Sequence, residues 1–312
     1  MAKKRILVIG SANMDMHLPL CEMPAEGASL IQKGGVTYSP GGRGASAAIA
    51  FSNLGAEVVL CTRLGHDSHG ETLYSYYKDA GIDVSHVAID REHATGFAAI
   101  MVNEMSAQRR TLVYPGANEY IAQEDVDNAF LSSPDAVYMQ LEMPNEMVIS
   151  AAEYAYRRGI PIFIDAVPAK ADFPLEKLPP VTVFSPNEDE TECYTGIRPQ
   201  GADSCLKAAH ELSKRVRAQY IVLKLGDRGA FIFNGTRCKF VPPFHVTPTD
   251  ATAAGDAFTA ALSLRYLNYG DINEAAYYAS AVAALTVTGE GECFSIPKEE
   301  DVEAFIATQE SL

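Results

Sequence analysis

A chain of 312 residues, 47% of them hydrophobic, can bury one large core and carry a small appendage. Its formal charge of -15 arises from 25 Lys and Arg against 40 Asp and Glu, with no basic stripe to offset it, so nucleic acid is not an expected partner. No run approaches the ~20 apolar residues of a membrane-crossing helix. The apolar stretch Ile6 to Ile9 is too short for a secretory leader, and a cytoplasmic protein is expected.

The chain starts with Ile6-Leu7-Val8-Ile9, which ends at Gly10 and reads as a strand buried on both faces. Residues 14–37 are rich in Pro and Gly and read as a hairpin that leaves the body. Gly41-Gly42-Arg43-Gly44 then opens a helix of small apolar residues, Ala45 to Leu54. Glu57 to Cys61 is a strand, and a helix follows from Ser68, its expected cap, to Ala80, with Gly81 as its stop. Gly96–Val102 and Arg109–Tyr114 are strands expected to pair with the hairpin.

From residue 135 the order is regular. Strands at Ala136–Met139, Ile160–Ile164, Val181–Phe184 and Tyr220–Leu223 alternate with helical stretches, which implies parallel strands with right-handed crossovers. Ala230–Phe233 and Arg237–Val241 flank the hairpin turn Asn234-Gly235. The last third is helical, over Gly255–Leu267, Ile272–Val287 and Lys298–Thr308. The expected fold is α/β: a doubly wound, mostly parallel sheet with a small, discontinuous β-sheet lid. The body takes residues 1–11, 41–94 and 115–312, and the lid takes 12–40 and 95–114. The six cysteines form no C-x-x-C pair and read as free, mostly buried thiols.

Five segments carry chemistry. In Asp250-Ala251-Thr252-Ala253-Ala254-Gly255-Asp256, a turn of small residues opens a long apolar helix. Small residues let a phosphate reach the backbone, and the free N–H groups of the first turn, with the helix dipole, attract it. Asp256 could accept a hydroxyl proton beside that anion hole; it could equally cap the helix. In Gly10-Ser11-Ala12-Asn13-Met14-Asp15, Asn13 and Asp15 lie just past the first strand, where open α/β sheets bind ligands. Both suit a polyhydroxylated ligand, although an Asx turn explains them better when the segment is taken alone.

Pro40-Gly41-Gly42-Arg43-Gly44-Ala45-Ser46 is glycine-rich but has neither the dinucleotide fingerprint nor the P-loop spacing. Ser185-Pro186-Asn187-Glu188-Asp189-Glu190 is a good helix start that could also bring Asn187 and Glu190 to phosphates and to Mg²⁺, partly through water. Lys224-Leu225-Gly226-Asp227-Arg228-Gly229 is a turn whose glycines would let a purine and its ribose lie against the backbone.

In this order and at this spacing, the five segments resemble the ribokinase-like (PfkB) sugar kinases, from Ile6 to Pro297. The resemblance implies an ATP-dependent kinase acting on the hydroxymethyl group of a small sugar, a pentose such as ribose. Asp256 would be the base, with the N–H groups of Ala253, Ala254, Gly255 and Asp256 as the anion hole. Asn13, Asp15, Gly42, Arg43, Ser46 and Glu142 would face the sugar; Asn187, Glu190, Lys224, Gly226 and Gly229 would face ATP and Mg²⁺. Asp250, Thr252, Thr286, Gly289, Gly291 and Ser295 would hold a monovalent cation, K⁺. A homodimer through the lid is also implied.

The chain departs from the family pattern at Arg43, where Lys is usual, at Ser46, where Asn is usual, and at Ala251, where Thr is usual. Competing readings are a nucleoside, ketohexose or keto-deoxy-sugar-acid kinase of the same family, or a non-catalytic sugar-binding protein on the same fold.

Overall fold

Side chains alternate across a strand. Ile6 and Val8 therefore go to one face of the first strand and Leu7 and Ile9 to the other, and both faces meet apolar cores. In the computed structural model, which describes residues 2–32, 34–103, 109–289 and 292–310, the same alternation runs through the inner strands of the main sheet.

The strands are β1 (Arg5–Ile9), β2 (Asn13–Leu20), β3 (Thr37–Gly41), β4 (Glu57–Gly65), β5 (Val87–Asp90), β6 (Gly96–Asn103), β7 (Arg109–Tyr114), β8 (Ala136–Gln140), β9 (Ile162–Asp165), β10 (Val181–Ser185), β11 (Ala218–Lys224), β12 (Ala230–Phe233) and β13 (Cys238–Val241). The helices are α1 (Arg43–Asn53), α2 (Ser68–Asp79), α3 (Gln123–Ala129), α4 (Asn145–Arg157), α5 (Glu188–Thr195), α6 (Ala202–Arg215), α7 (Ala254–Tyr269), α8 (Ile272–Thr288) and α9 (Glu299–Glu310).

A nine-stranded sheet runs in the order β13-β12-β11-β10-β9-β8-β1-β4-β5. It is parallel from β11 to β5, and the β12–β13 hairpin is antiparallel. Helices α1, α2, α7, α8 and α9 pack on one face, and α3, α4, α5 and α6 on the other. A separate four-stranded sheet runs β3-β2-β6-β7. Its β2–β6 pair is parallel because β2 leaves the body at Asn13 and β6 leaves it at Gly96, its register partner.

The cap of α2 is Asp67, not Ser68. Asp67 Oδ1 accepts the Gly70 N–H at 2.8 Å, and Oδ2 accepts that of Thr95 at 2.8 Å, so one carboxylate starts the helix and anchors the approach to β6. β5 and α3 were not foreseen; both are short and carry little periodicity. The cysteines are free, but half of them (Cys21, Cys193 and Cys238) are exposed, while Cys61, Cys205 and Cys293 are buried.

Candidate active site

The sheet reverses its direction of growth between β1 and β8, because from β1 the chain builds outward through β4 and β5 and then returns to add β8 beside it. The carboxyl ends of two such strands open a ligand crevice. Ser11, just past β1, donates through Oγ to Glu142 Oε2, just past β8, which ties the two rims together.

Glycines bring α1 onto this crevice. Gly42 has φ +91°, and a Cβ there would lie 2.8 Å from Ala12 Cα and from Asn13 N. Only a residue without a side chain fits that approach without strain. Ser11 then receives α1: its Oγ accepts the Arg43 N–H at 3.1 Å, and its carbonyl accepts that of Ala45 at 3.0 Å. Asn118, which sequence reasoning missed, accepts the Ala12 N–H at 3.0 Å and donates to Asn13 Oδ1 at 2.9 Å. Asn13 can therefore offer a ligand its Nδ2 donors.

On the opposite wall, α7 begins after Ala253, a non-glycine residue at φ +59°. No side chain caps this helix. Asp256 sits in its first turn, yet its carboxylate turns to the crevice: Oδ2 accepts from Arg43 Nη1 at 3.1 Å, and Oδ1 is buried with no partner among the described residues. The capping reading of Asp256 is thereby set aside.

Burial pushes the Asp256 carboxyl up to about 7. Arg43 and Lys224 pull it down, and Asp165 pushes it further up. Arg43, facing Asp256, is held above its usual range. A carboxylate that titrates near neutrality and keeps one oxygen free is suited to accept a proton.

Two cavities meet at Asp256. One, of about 500 Å³, is lined by Asn13, Asp15, Gly42, Arg43, Ser46, Glu142 and Asp256, with Ala98, Ile100, Thr111 and Val113 of the small sheet as its roof. The expected sugar-facing residues thus share one space. The other, of about 460 Å³, is lined by Arg43, Asp165, Asn187, Glu190, Lys224, Gly226, Gly255 and Asp256. It adjoins a mostly apolar cavity of about 540 Å³ lined by Lys224, Gly226, Gly229, Phe244, Ala254 and Phe258.

Lys224 stands at that junction. Its Nζ donates to Asp165 Oδ1 at 2.5 Å, and it would lie 3.6 Å from a Cβ built on Gly255. Asp165 was not picked from the sequence, although it ends a buried strand on the ligand side, the same signal that marked Asn13. Asn187 and Glu190 form a reciprocal cap of α5. Asn187 Oδ1 accepts the Glu190 N–H at 2.9 Å, while Glu190 accepts from Asn187 N at 2.7 Å and Nδ2 at 2.9 Å. The helix-start reading and a place in the cavity hold together here. Burial raises the Glu190 carboxyl above its usual range.

Asp250 Oδ1 accepts from Thr252 N at 2.9 Å and Oγ1 at 2.6 Å, and the Thr249 and Asp250 N–H groups bind Val287 O near the end of α8. Gly289 N donates to Thr286 O, and a Cβ on Gly289 would lie 2.7 Å from that of Ser295. Gly291 lies outside the described residues.

The sequence pattern of the pfkB family carbohydrate kinases matches residues 3–299. The chain belongs to that family. It is 30% identical to a ribokinase of Haemophilus influenzae, over 97% of this chain and 99% of that one. It is also 30% identical to a deoxyribokinase of Salmonella typhi, over 98% and 99%. The solved structure of Arabidopsis thaliana ribokinase complexed with ribose and ATP superposes with a TM-score of 0.86 at 25% identity, covering 98% of this chain and 99% of that one. This pfkB kinase is an ATP-dependent sugar kinase. Among its described residues no helix is long and apolar enough to cross a membrane, and no cluster of three or more His, Cys, Asp or Glu could hold a metal ion.

Proposed function

We propose that the enzyme transfers the γ-phosphoryl group of ATP to the hydroxymethyl group of a pentose, ribose or 2-deoxyribose, with Asp256 as the base. The observation that carries this reading is the place of Asp256: buried, with Oδ1 unpartnered among the described residues, where the two cavities meet. The acceptor hydroxyl would donate to Oδ1. Its oxygen bonds to the γ-phosphorus as the bond to the β–γ bridging oxygen breaks, and its proton passes to Asp256. The backbone N–H groups from Ala253 to Asp256 open α7 toward the charge that develops.

Asn13, Asp15, Glu142 and Ser46 would hold the sugar, with Arg43 beside its reacting end. Lys224, Gly226 and Gly229 would take the nucleotide. Both Glu190 oxygens already accept from Asn187, so these two residues would hold Mg²⁺ through its water shell, the manner that ion favours. Mg²⁺ bound there would neutralise charge on the transferring phosphates. The Asp250 carboxylate and the carbonyls at the end of α8 are hard oxygen donors suited to K⁺.

The small sheet would act as a lid over the sugar, over residues 12–40 and 95–114, and exclude water. Its opposite face exposes Tyr38, Leu112 and Tyr114, all more than half accessible, which supports a homodimer through the lid. The equal identities to a ribokinase and a deoxyribokinase leave the 2-hydroxyl to experiment. The test is ADP release with Mg-ATP and K⁺ across ribose, 2-deoxyribose, ketohexoses, keto-deoxy sugar acids and nucleosides. A pentose that gives the highest kcat/KM supports the reading; turnover of another class alone overturns the substrate.

A further inference from the structure

Arg43 lines both the acceptor and the donor cavity, and its side chain is 42% exposed, whereas the Asp256 side chain it grips is 2% exposed. A solvent-side arm thus reaches down to a buried base. The root of the arm is fixed. The Arg43 N–H donates to Ser11 Oγ at 3.1 Å, and its carbonyl accepts from Gln140 Nε2 at 3.4 Å, so the residue is pinned to the ends of β1 and β8. Its guanidinium pairs with Asp256 Oδ2, 213 residues away in sequence. A carboxylate with one oxygen in a charge-assisted bond is a weaker base.

A kinase with a free base beside bound ATP would waste the nucleotide. The water oxygen would bond to the γ-phosphorus, the bond to the bridging oxygen would break, and the water proton would go to Asp256, giving ADP and phosphate. We infer that Arg43 is a latch on the base: without an acceptor it holds Asp256 against activating water, and the acceptor hydroxyl releases it on docking. The inference rests on the kinase reading above and assigns Arg43 a positioning role beyond contact with the sugar.

The groups that face Asp256 are Arg43 from α1, Lys224 from β11, Asp165 from the end of β9 and the Tyr138 phenol from β8. Loss of Arg43 leaves Lys224 as the cation among them, and the carboxyl climbs further.

The test compares wild type, Arg43→Gln, Arg43→Lys and the double variant Arg43→Gln/Asp256→Asn, as full chains, by ADP release from Mg-ATP without sugar, each read on the alkaline plateau of its own pH profile, where the base is ionised. We expect sugar-free hydrolysis to rise about tenfold or more in Arg43→Gln, to rise less in Arg43→Lys, which keeps the charge but not the fork, and to vanish in the double variant. The acidic limb of the pH profile should also move upward in Arg43→Gln. Sugar-free hydrolysis that stays level or falls, with only KM for the sugar raised, overturns the latch and leaves Arg43 a sugar contact.

A second measurement reads the wild type directly. The Arg43 guanidinium ¹⁵N resonance of the wild type, assigned by its loss in Arg43→Lys, should shift when acceptor alone saturates the enzyme. An unmoved resonance overturns the inference. Failure of the kinase reading shows elsewhere, as wild type that releases no acceptor-dependent ADP.

Discussion

Lys224 Nζ lies 2.5 Å from Asp165 Oδ1, in a pair whose Asp side chain is fully buried and whose Lys side chain is 11% exposed. Tyr138, from the next strand, places its hydroxyl 3.5 Å from the other Asp165 oxygen. Lys224 Nζ also donates to Thr259 Oγ1 of α7 at 3.4 Å, and the pair lines the cavity proposed for the nucleotide phosphates.

Such a pair is costly to break singly. Lys224→Met should destabilise the fold by about 3–5 kcal/mol, because Asp165 stays buried without a counter-charge. Lys224→Met/Asp165→Leu should recover most of that loss in thermal melts and still show a raised KM for ATP. Full recovery of both would remove Lys224 from the nucleotide site.

Asp256→Asn should lower kcat by about 10²–10⁴-fold, the usual contribution of a general base. The same change should stabilise the protein in a pH-dependent way. The folded state holds the Asp256 proton up to about 7, while the unfolded chain releases it near the ordinary carboxylate value. Wild type therefore has its full stability in acid and loses part of it as the pH climbs toward 7. The Asn variant does not. Its advantage should grow between pH 4 and pH 7 by about 1–4 kcal/mol and then level off, as read by denaturant melts at each pH.

The pH profile of kcat/KM for the sugar should have an acidic limb near pH 7, since only the ionised carboxylate accepts the proton. Below that limb the rate should fall about tenfold per unit. A limb near pH 4 would mean that Asp256 is not the group being read.

Gly42→Ala should weaken sugar binding more than it slows turnover of bound substrate. The added Cβ meets backbone at Ala12 and Asn13, at a φ that a side chain rarely adopts, so the segment carrying Asn13 and Asp15 must move. Melting should fall by about 1–3 kcal/mol in stability, and the KM for the sugar should rise while that for ATP holds.

The strand order after residue 135 and the two-faced burial of β1 were legible because period and composition are local. So were the glycines at 41, 42 and 44 and the small residues before Asp256, since a backbone that must touch a neighbour or an anion tolerates few side chains. The helix start at Asn187 was legible for the same reason, as its cap closes within three residues.

What the sequence by itself determined, then, was the class of fold and the segments that close on the crevice, because local sterics and periodicity demand particular residues there. Tertiary structure alone decided which partners each carboxylate meets. Asp256 read equally well as a helix cap until Arg43, 213 residues away, claimed one of its oxygens. Asp165 and Asn118 were silent until the sheet set them against Lys224 and Asn13, 59 and 105 residues away. An ion pair depends on where two distant stretches of chain meet and on how much water is left between them, and neither is written in the residues beside it.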